Sequence, residues 1–210
     1  MTAYQTVARV SEAELVVKKS RFIGRAAPAR TPEAAMAFVA IIKAKHWDAS
    51  HNVWAYSLRE GQARRYSDDG EPQGTAGLPV LDTLLKQELL DCVVVVTRYF
   101  GGTLLGTGGL TRAYGQSASA AIEAAGVITM APCKVLRVTC DYGFYGALQR
   151  LLPAFGGTVL DTQFAGETTV TLRLRAQDAE AFSAQLAEKS NGRVQAMLVR
   201  EEFAGEQSSS

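Results

Sequence analysis

The sequence predicts an α+β protein of two units, a larger mixed unit followed by a ferredoxin-like βαββαβ sandwich. Three observations predict it. From Lys134 onward the hydrophobic period switches between 2 and 3.6 in the order β-α-β-β-α-β, with stop signals between the runs. Pro132 punctuates the chain just before that series, which sets the expected domains at 1–132 and 133–204, with 205–210 as a frayed polar tail. Before it, apolar runs of strand length are interleaved with amphipathic runs of helix length, and no internal repeat recurs.

In the first unit, AELVVKKSRFIGRAAPA reads as extended chain with Lys18, Lys19, Arg21 and Arg25 on or beside it. Thr31-Pro32-Glu33 opens a helix, with Thr at the cap, Pro at the first helical position and an acid in the first turn. HNVWAYSLRE is a strand whose alternation sets Val53 and Ala55 against Trp54 and Tyr56. PVLDTLLKQELL is an amphipathic helix. DCVVVVTRYF does not alternate, which marks a strand buried on both faces. LTRAYGQSASAAIEAAG closes the unit as a helix of small residues.

The second unit opens with the alternating KVLRVTCDY. A helix over GFYGALQRLLPAFG follows, with Tyr145, Leu148, Leu151 and Leu152 at helical spacing and Gly156-Gly157 as its stop. TVLDTQFA and TTVTLRLRA are strands joined through Gly166-Glu167. DAEAFSAQLAEKSNG is a helix from Asp178 to the Asn191-Gly192 stop, and RVQAMLVREEF is the last strand.

Composition narrows the function classes. The 210 residues are 47% hydrophobic with a formal net charge of +1, so the chain does not coat nucleic acid through bulk charge, though a local basic patch is compatible with it. MTAYQTVARV lacks a charged start followed by an apolar core, and no apolar run reaches the roughly 18 residues of a membrane span. The three cysteines, Cys92, Cys133 and Cys140, are odd in number and lack CxxC spacing. No disulfide framework, zinc site or cofactor is expected, and the reading is a reduced, cytoplasmic protein.

Two segments carry candidate chemistry. YFGGTLLGTGG holds Gly101, Gly102, Gly106, Gly108 and Gly109 between an apolar strand and a helix, where unpaired first-turn amides trap anions. It is neither GxxxxGK[ST] nor GxGxxG, and the plain alternative is a tight strand-to-helix turn. Arg98 before the loop and Arg112 after it favour anion contact. RRYSDDGEPQGTAGLP, residues 64–79, reads as a long surface loop. Asp68, Asp69 and Glu71 are hard-cation ligand types, but a solvated acidic turn pairing with nearby arginines is favoured, without the twelve-residue calcium pattern.

Ser50, His51 and Asp68 or Asp69 supply triad residue types, yet there is no GxSxG elbow, and His46 near a helix end is simply placed against the dipole. Catalytic residues are therefore not expected. Trp54, Tyr56, Tyr66, Tyr99 and Phe100 stand beside basic residues, the ingredients of base stacking, although most are expected in the core.

Taken together, KKSRFIG, ASHNVWAY, RYSDDGEPQGTAGLPVL and VVVVTRYFGGTLLGTGGLTRAYG resemble the signature segments of the IMPACT family, in particular its bacterial YigZ-type members. The resemblance covers nearly the whole chain. It implies an N-terminal domain with the fold of the second domain of a ribosomal small-subunit protein, shared with small-molecule kinases. It further implies a C-terminal domain similar to the last domain of the translocating elongation factor. Eukaryotic relatives bind the activator of the amino-acid-starvation kinase through a further N-terminal domain that this sequence does not match, so that partner does not carry over. What carries over is a protein acting near translation, without established catalysis. The surface implied falls on Lys19, Arg21, Asp68, Asp69, Gly70, Glu71, Arg98, the glycines from Gly101 to Gly109, and Arg112. The leading expectation is RNA or ribosome contact through the arginine-flanked loop. A protein partner at the same face, or a phosphate-ligand enzyme with magnesium on Asp68 or Glu71, are the alternatives.

Overall fold

The computed structural model describes residues 2–205. These divide into two units, Tyr4–Thr129 and the chain from Met130 onward together with the residues before Tyr4.

The first unit contains β1 (Tyr4–Val7), β2 (Ser11–Val17), β3 (Ser20–Pro28), α1 (Pro32–Lys45), β4 (His51–Ser57), β5 (Arg64–Ser67), α2 (Gly77–Lys86), β6 (Cys92–Tyr99) and α3 (Thr107–Ala125). Strands β2-β3-β6-β4-β5 form an antiparallel sheet with β6 at its centre. The unbroken apolar run of β6 follows from that place. Val94 and Val96 pack with Phe22, Val53, Leu84 and Tyr114 beneath α2 and α3. Val93 and Val95 pack with Val39 and Ile42 of α1 on the opposite face. Both faces are dry, so alternation has no polar side to show. The α1 start is as read: the Thr31 hydroxyl accepts the Ala34 N–H at 3.2 Å, and Pro32 fills the first helical position.

The structure refines three readings in this unit. The extended segments around Lys18 and Lys19 are two strands, flanked by those lysines. The chain turns between β2 and β3 with both lysines left-handed, at φ 45° and 67°, the backbone of a two-residue hairpin turn. Residues 64–67 are β5, an edge strand paired with β4, so the segment read as a loop from Arg64 to Pro79 is half regular structure, and α2 begins at Gly77. The last helix starts at Thr107, which draws Gly108 and Gly109 out of the loop and into the first helical turn.

The second unit contains β7 (Val127–Cys140), α4 (Tyr142–Leu151), β8 (Thr158–Phe164), β9 (Thr168–Arg175), α5 (Ala179–Lys189) and β10 (Ala196–Gly205). Its strand order, β10-β7-β9-β8, with α4 and α5 covering one face, is that of a ferredoxin-like sandwich. Leu136, Val138, Val170 and Leu172 from the sheet meet Leu148 and Phe182 from the helices. The Asp141 carboxylate accepts the Phe144 N–H at 2.8 Å and caps α4.

Pro132 does not punctuate the chain before this unit; it stands inside β7. It is tolerated because the ladder to β9 starts at Cys133, and the Pro132 carbonyl still accepts the Ala176 N–H at 2.9 Å. Gly205 closes β10, and the rest of the expected 205–210 tail lies outside the described residues. Among the described residues no helix is long and apolar enough to cross a membrane.

Candidate functional site

The glycine loop turns a corner, and part of it does so under steric compulsion. Gly101 lies flat on the β2–β3 turn. A Cβ there would come within 2.0 Å of the Lys19 carbonyl carbon, and the Gly101 N–H donates to the Ser20 hydroxyl at 3.2 Å. Gly102 and Gly106 hold left-handed φ of 80° and 73°, and Gly106 is the residue that caps α3. Gly108 differs. Its φ is ordinary, and a Cβ added to it would meet nothing within 4 Å. No packing demand explains the glycine at that position.

The acidic segment is ordered by its own carboxylates and is not a solvated turn. Asp68 accepts the N–H groups of Gly74, Ala76 and Gly77 at 2.9, 3.1 and 2.8 Å, and thereby fastens the start of α2. Asp69, left-handed at φ 47°, takes Lys43 Nζ of α1 at 2.6 Å and the Asn52 N–H of β4 at 2.7 Å. Gly70 lies beside the His51 ring with φ 89°. Glu71 turns inward and is buried.

Glu71 is the centre of the site. Its Oε1 accepts Arg98 Nη1 of β6 at 2.6 Å and the Tyr114 hydroxyl of α3 at 2.7 Å. Arg98 is 5% exposed, with its guanidinium between the rings of Phe22 and Phe100 at 5.4 and 5.5 Å and Nη2 reaching the Ser20 hydroxyl at 3.4 Å. Burial, and then the Glu71 charge, push the Tyr114 phenol far above its usual value, so it remains a donor. Arg98 is thus committed to the interior and does not stand free beside the loop as the sequence suggested. Arg112 is exposed on α3, and Lys19 is exposed at the hairpin turn. Arg21 pairs with Glu14 at 2.9 Å and lies over the Tyr99 ring.

Above Glu71 opens a cavity of about 440 Å³ between the acidic turn, the end of β6 and the start of α3. Its walls are apolar, from Phe100, Leu104, Leu105 and Leu110; its polar groups come from His51, Glu71 and Arg98. His51 does not enter a triad. Its Nδ1 faces the Asp69 carbonyl oxygen at 2.8 Å, the Ser50 hydroxyl accepts the Phe100 N–H, and Asp68 is occupied by α2. Because a carbonyl only accepts, Nδ1 carries the proton and Nε2 is left as the acceptor of the neutral ring. That Nε2 lies 3.8 Å from Glu71 Oε2, too far for a hydrogen bond.

On the opposite face of the sheet runs a second chain of contacts. Buried Arg25 donates to Glu12 at 2.8 Å and to His46 Nε2 at 2.8 Å; His46 Nδ1 meets the Tyr99 hydroxyl at 2.9 Å, which donates to Asp48 at 3.0 Å. Since Arg25 only donates, His46 is neutral with its proton on Nδ1. Burial, then Arg25 and Lys45, lower its pKa against the opposing pull of Glu12 and Asp48. The sequence places His46 at the end of α1 against the dipole; it is the C-terminal cap there through its backbone N–H, but its neutral ring is held between Arg25 and Tyr99.

Among the described residues no group of three or more His, Cys, Asp or Glu side chains is gathered as a metal would require. The three cysteines are free and buried, and burial drives Cys92 to a pKa of about 12.

Residues 18–122 match the Impact N-terminal domain, and residues 138–193 match a domain of unknown function, DUF1949. The IMPACT family member YvyE of Bacillus subtilis is 36% identical over 192 residues, covering 91% of this chain and 88% of the relative. The IMPACT family member YigZ of Escherichia coli is 36% identical over 188 residues, 88% of this chain and 92% of the relative. A crystal structure of a hypothetical protein superimposes with a TM-score of 0.63 at 33% identity, covering 95% of this chain and 98% of that one.

Proposed function

This chain belongs to the IMPACT family, and we propose that it is a non-enzymatic binding protein acting near translation that contacts RNA, free or ribosomal, through its first unit. The observation that carries this reading is the seating of Gly101 on Lys19 and Ser20. It joins two segments 81 residues apart into one surface: the basic turn of β2–β3, the exposed ring of Phe100 and the first turn of α3. Lys18, Lys19, Arg21 and Arg112 meet phosphates, the first-turn amides of α3 add an anion-binding end, and Phe100 offers a stacking face. Arg98 and Glu71 form the internal brace that holds this surface in shape. The residue types of a triad are held by backbone groups instead of one another, which favours binding over bond cleavage.

The test is co-sedimentation with ribosomes, and titration of a single-stranded RNA, over a salt series, comparing wild type with Lys19→Gln/Arg21→Gln. Salt-sensitive binding, weakened several-fold by the double substitution, is the expected result. Absence of binding at low salt to either target overturns the reading. The Arg98→Ala variant is unsuitable here, because it removes the brace along with any contact.

A further inference from the structure

We propose that the cavity over Glu71 receives one unstacked nucleobase of a single strand, with guanine preferred; this deepens the RNA reading above and rests on it. The volume of about 440 Å³ lies within the range of small-molecule sites, roughly 300–1,000 Å³. The chemistry of its floor selects the occupant. Glu71 Oε1 is saturated by Arg98 and Tyr114, whereas Oε2 faces His51 Nε2 across 3.8 Å. With Nδ1–H given to the Asp69 carbonyl, the neutral ring turns its acceptor Nε2 toward the acceptor Oε2. A ligand that brings adjacent N–H donors completes both.

The Arg98 guanidinium adds the opposite need. It is 5% exposed, it lines the same cavity, and among the described residues its buried Nε has no hydrogen-bond partner. The occupant therefore carries an acceptor beside its donors and a flat apolar body for Phe100 and Leu104. Among the nucleobases, the Watson–Crick edge of guanine offers that sequence, one carbonyl followed by two N–H groups, whereas adenine, cytosine and uracil offer a single donor position. Leu104 is 82% exposed and sets an apolar side chain at the mouth of the cavity. The neighbouring nucleotides of the strand then lie along the first turn of α3 and the lysine turn. There the absence of a Cβ at Gly108 leaves room for a phosphate to reach the amides.

The experiment titrates the full chain with heptaribonucleotides of uridine carrying one central G, inosine, A or U, read by fluorescence anisotropy at fixed low salt. The G heptamer is expected to bind about tenfold tighter than the A or U heptamer. Inosine, which lacks the exocyclic amine, is expected to lose most of that advantage. Phe100→Ala, at a half-exposed position that offers its ring to any base, should erase the preference and weaken the uridine heptamer as well. His51→Gln should reduce the preference without altering the salt dependence. Equal, salt-dependent binding of all four heptamers overturns the base pocket and leaves the RNA reading standing. A preference for A or U overturns guanine as the occupant. Failure of every heptamer and of ribosomes to bind at low salt removes the RNA reading, and the pocket's occupant with it.

Discussion

Glu71 is the residue on which the first unit's chemistry turns, and its energetics follow from burial. Truncating one partner of a buried ion pair strands the other, at a cost of about 3–5 kcal/mol. Arg98→Ala is therefore expected to lower unfolding stability by about 3 kcal/mol or more in urea titration. Arg112→Ala, at an exposed helix position, should stay within about 0.5 kcal/mol of wild type. Equal effects of the two substitutions would show that the Arg98–Glu71 pair is no brace. His46 sets a second expectation at this scale. Its folded pKa is lowered by burial and by Arg25 and Lys45, while an unfolded imidazole titrates near 6.5. As pH falls below about 6.5 the unfolded chain therefore takes up protons that the folded chain refuses, and stability declines between about pH 7 and pH 5. Urea midpoints measured across that window should fall, and His46→Gln should flatten the fall. A slope unchanged by the substitution would place the sensitivity elsewhere.

The elements divide into those whose causes are local and those whose causes are not. The βαββαβ order, the Thr31-Pro32 helix start and the doubly buried β6 were readable because each is decided within a few residues or by a period. The acidic turn was partly readable: pairing with an arginine beside the glycine loop is the expectation and Glu71 meets Arg98, 27 residues away, but its burial and its bond to Tyr114, 43 residues away, are not decided locally. The cavity was missed for the same reason, since His51, Glu71 and Leu104 come from three different segments. Pro132 misled because a proline inside a strand, paired with Phe203 of β10 and just outside the ladder to β9, looks, in sequence, like a break. The glycine loop was half legible. Its glycines promised close backbone approach, yet only the structure separates Gly101, which must be glycine, from Gly108, which need not be. Gly101→Ala is accordingly expected to disrupt the loop and lower the melting temperature. Gly108→Ala in the first turn of α3 should keep or slightly raise stability, by up to about 1 kcal/mol, and yet weaken RNA binding. A Gly108→Ala protein that binds RNA as wild type does would remove the phosphate from that turn.

For the whole molecule the decisive quantity is the formal net charge of +1. A protein this close to neutral has no bulk attraction for a polyanion, so any affinity for RNA must come from one local patch. The candidate patch contains four cationic side chains, Lys18, Lys19, Arg21 and Arg112, because Arg25 is spent on Glu12, Thr97 and His46, and Arg98 on Glu71. Each phosphate neutralised on a single strand contributes roughly −0.7 to the slope of log affinity against log salt. Four contacts thus give a slope of about −3, shallow beside that of a basic nucleic-acid-coating protein. Arg21 already holds Glu14 at 2.9 Å, and freeing it pulls the value toward about −2. Replacing Lys18 and Lys19 by glutamine keeps the hairpin turn's length and removes two of the four charges, so the slope should become shallower by about 1.4. Anisotropy titrations of a short single strand between low and physiological salt measure both slopes directly. A wild-type slope several times steeper would mean that cations beyond this patch take part. A slope near zero would mean that the surface grips something other than phosphate.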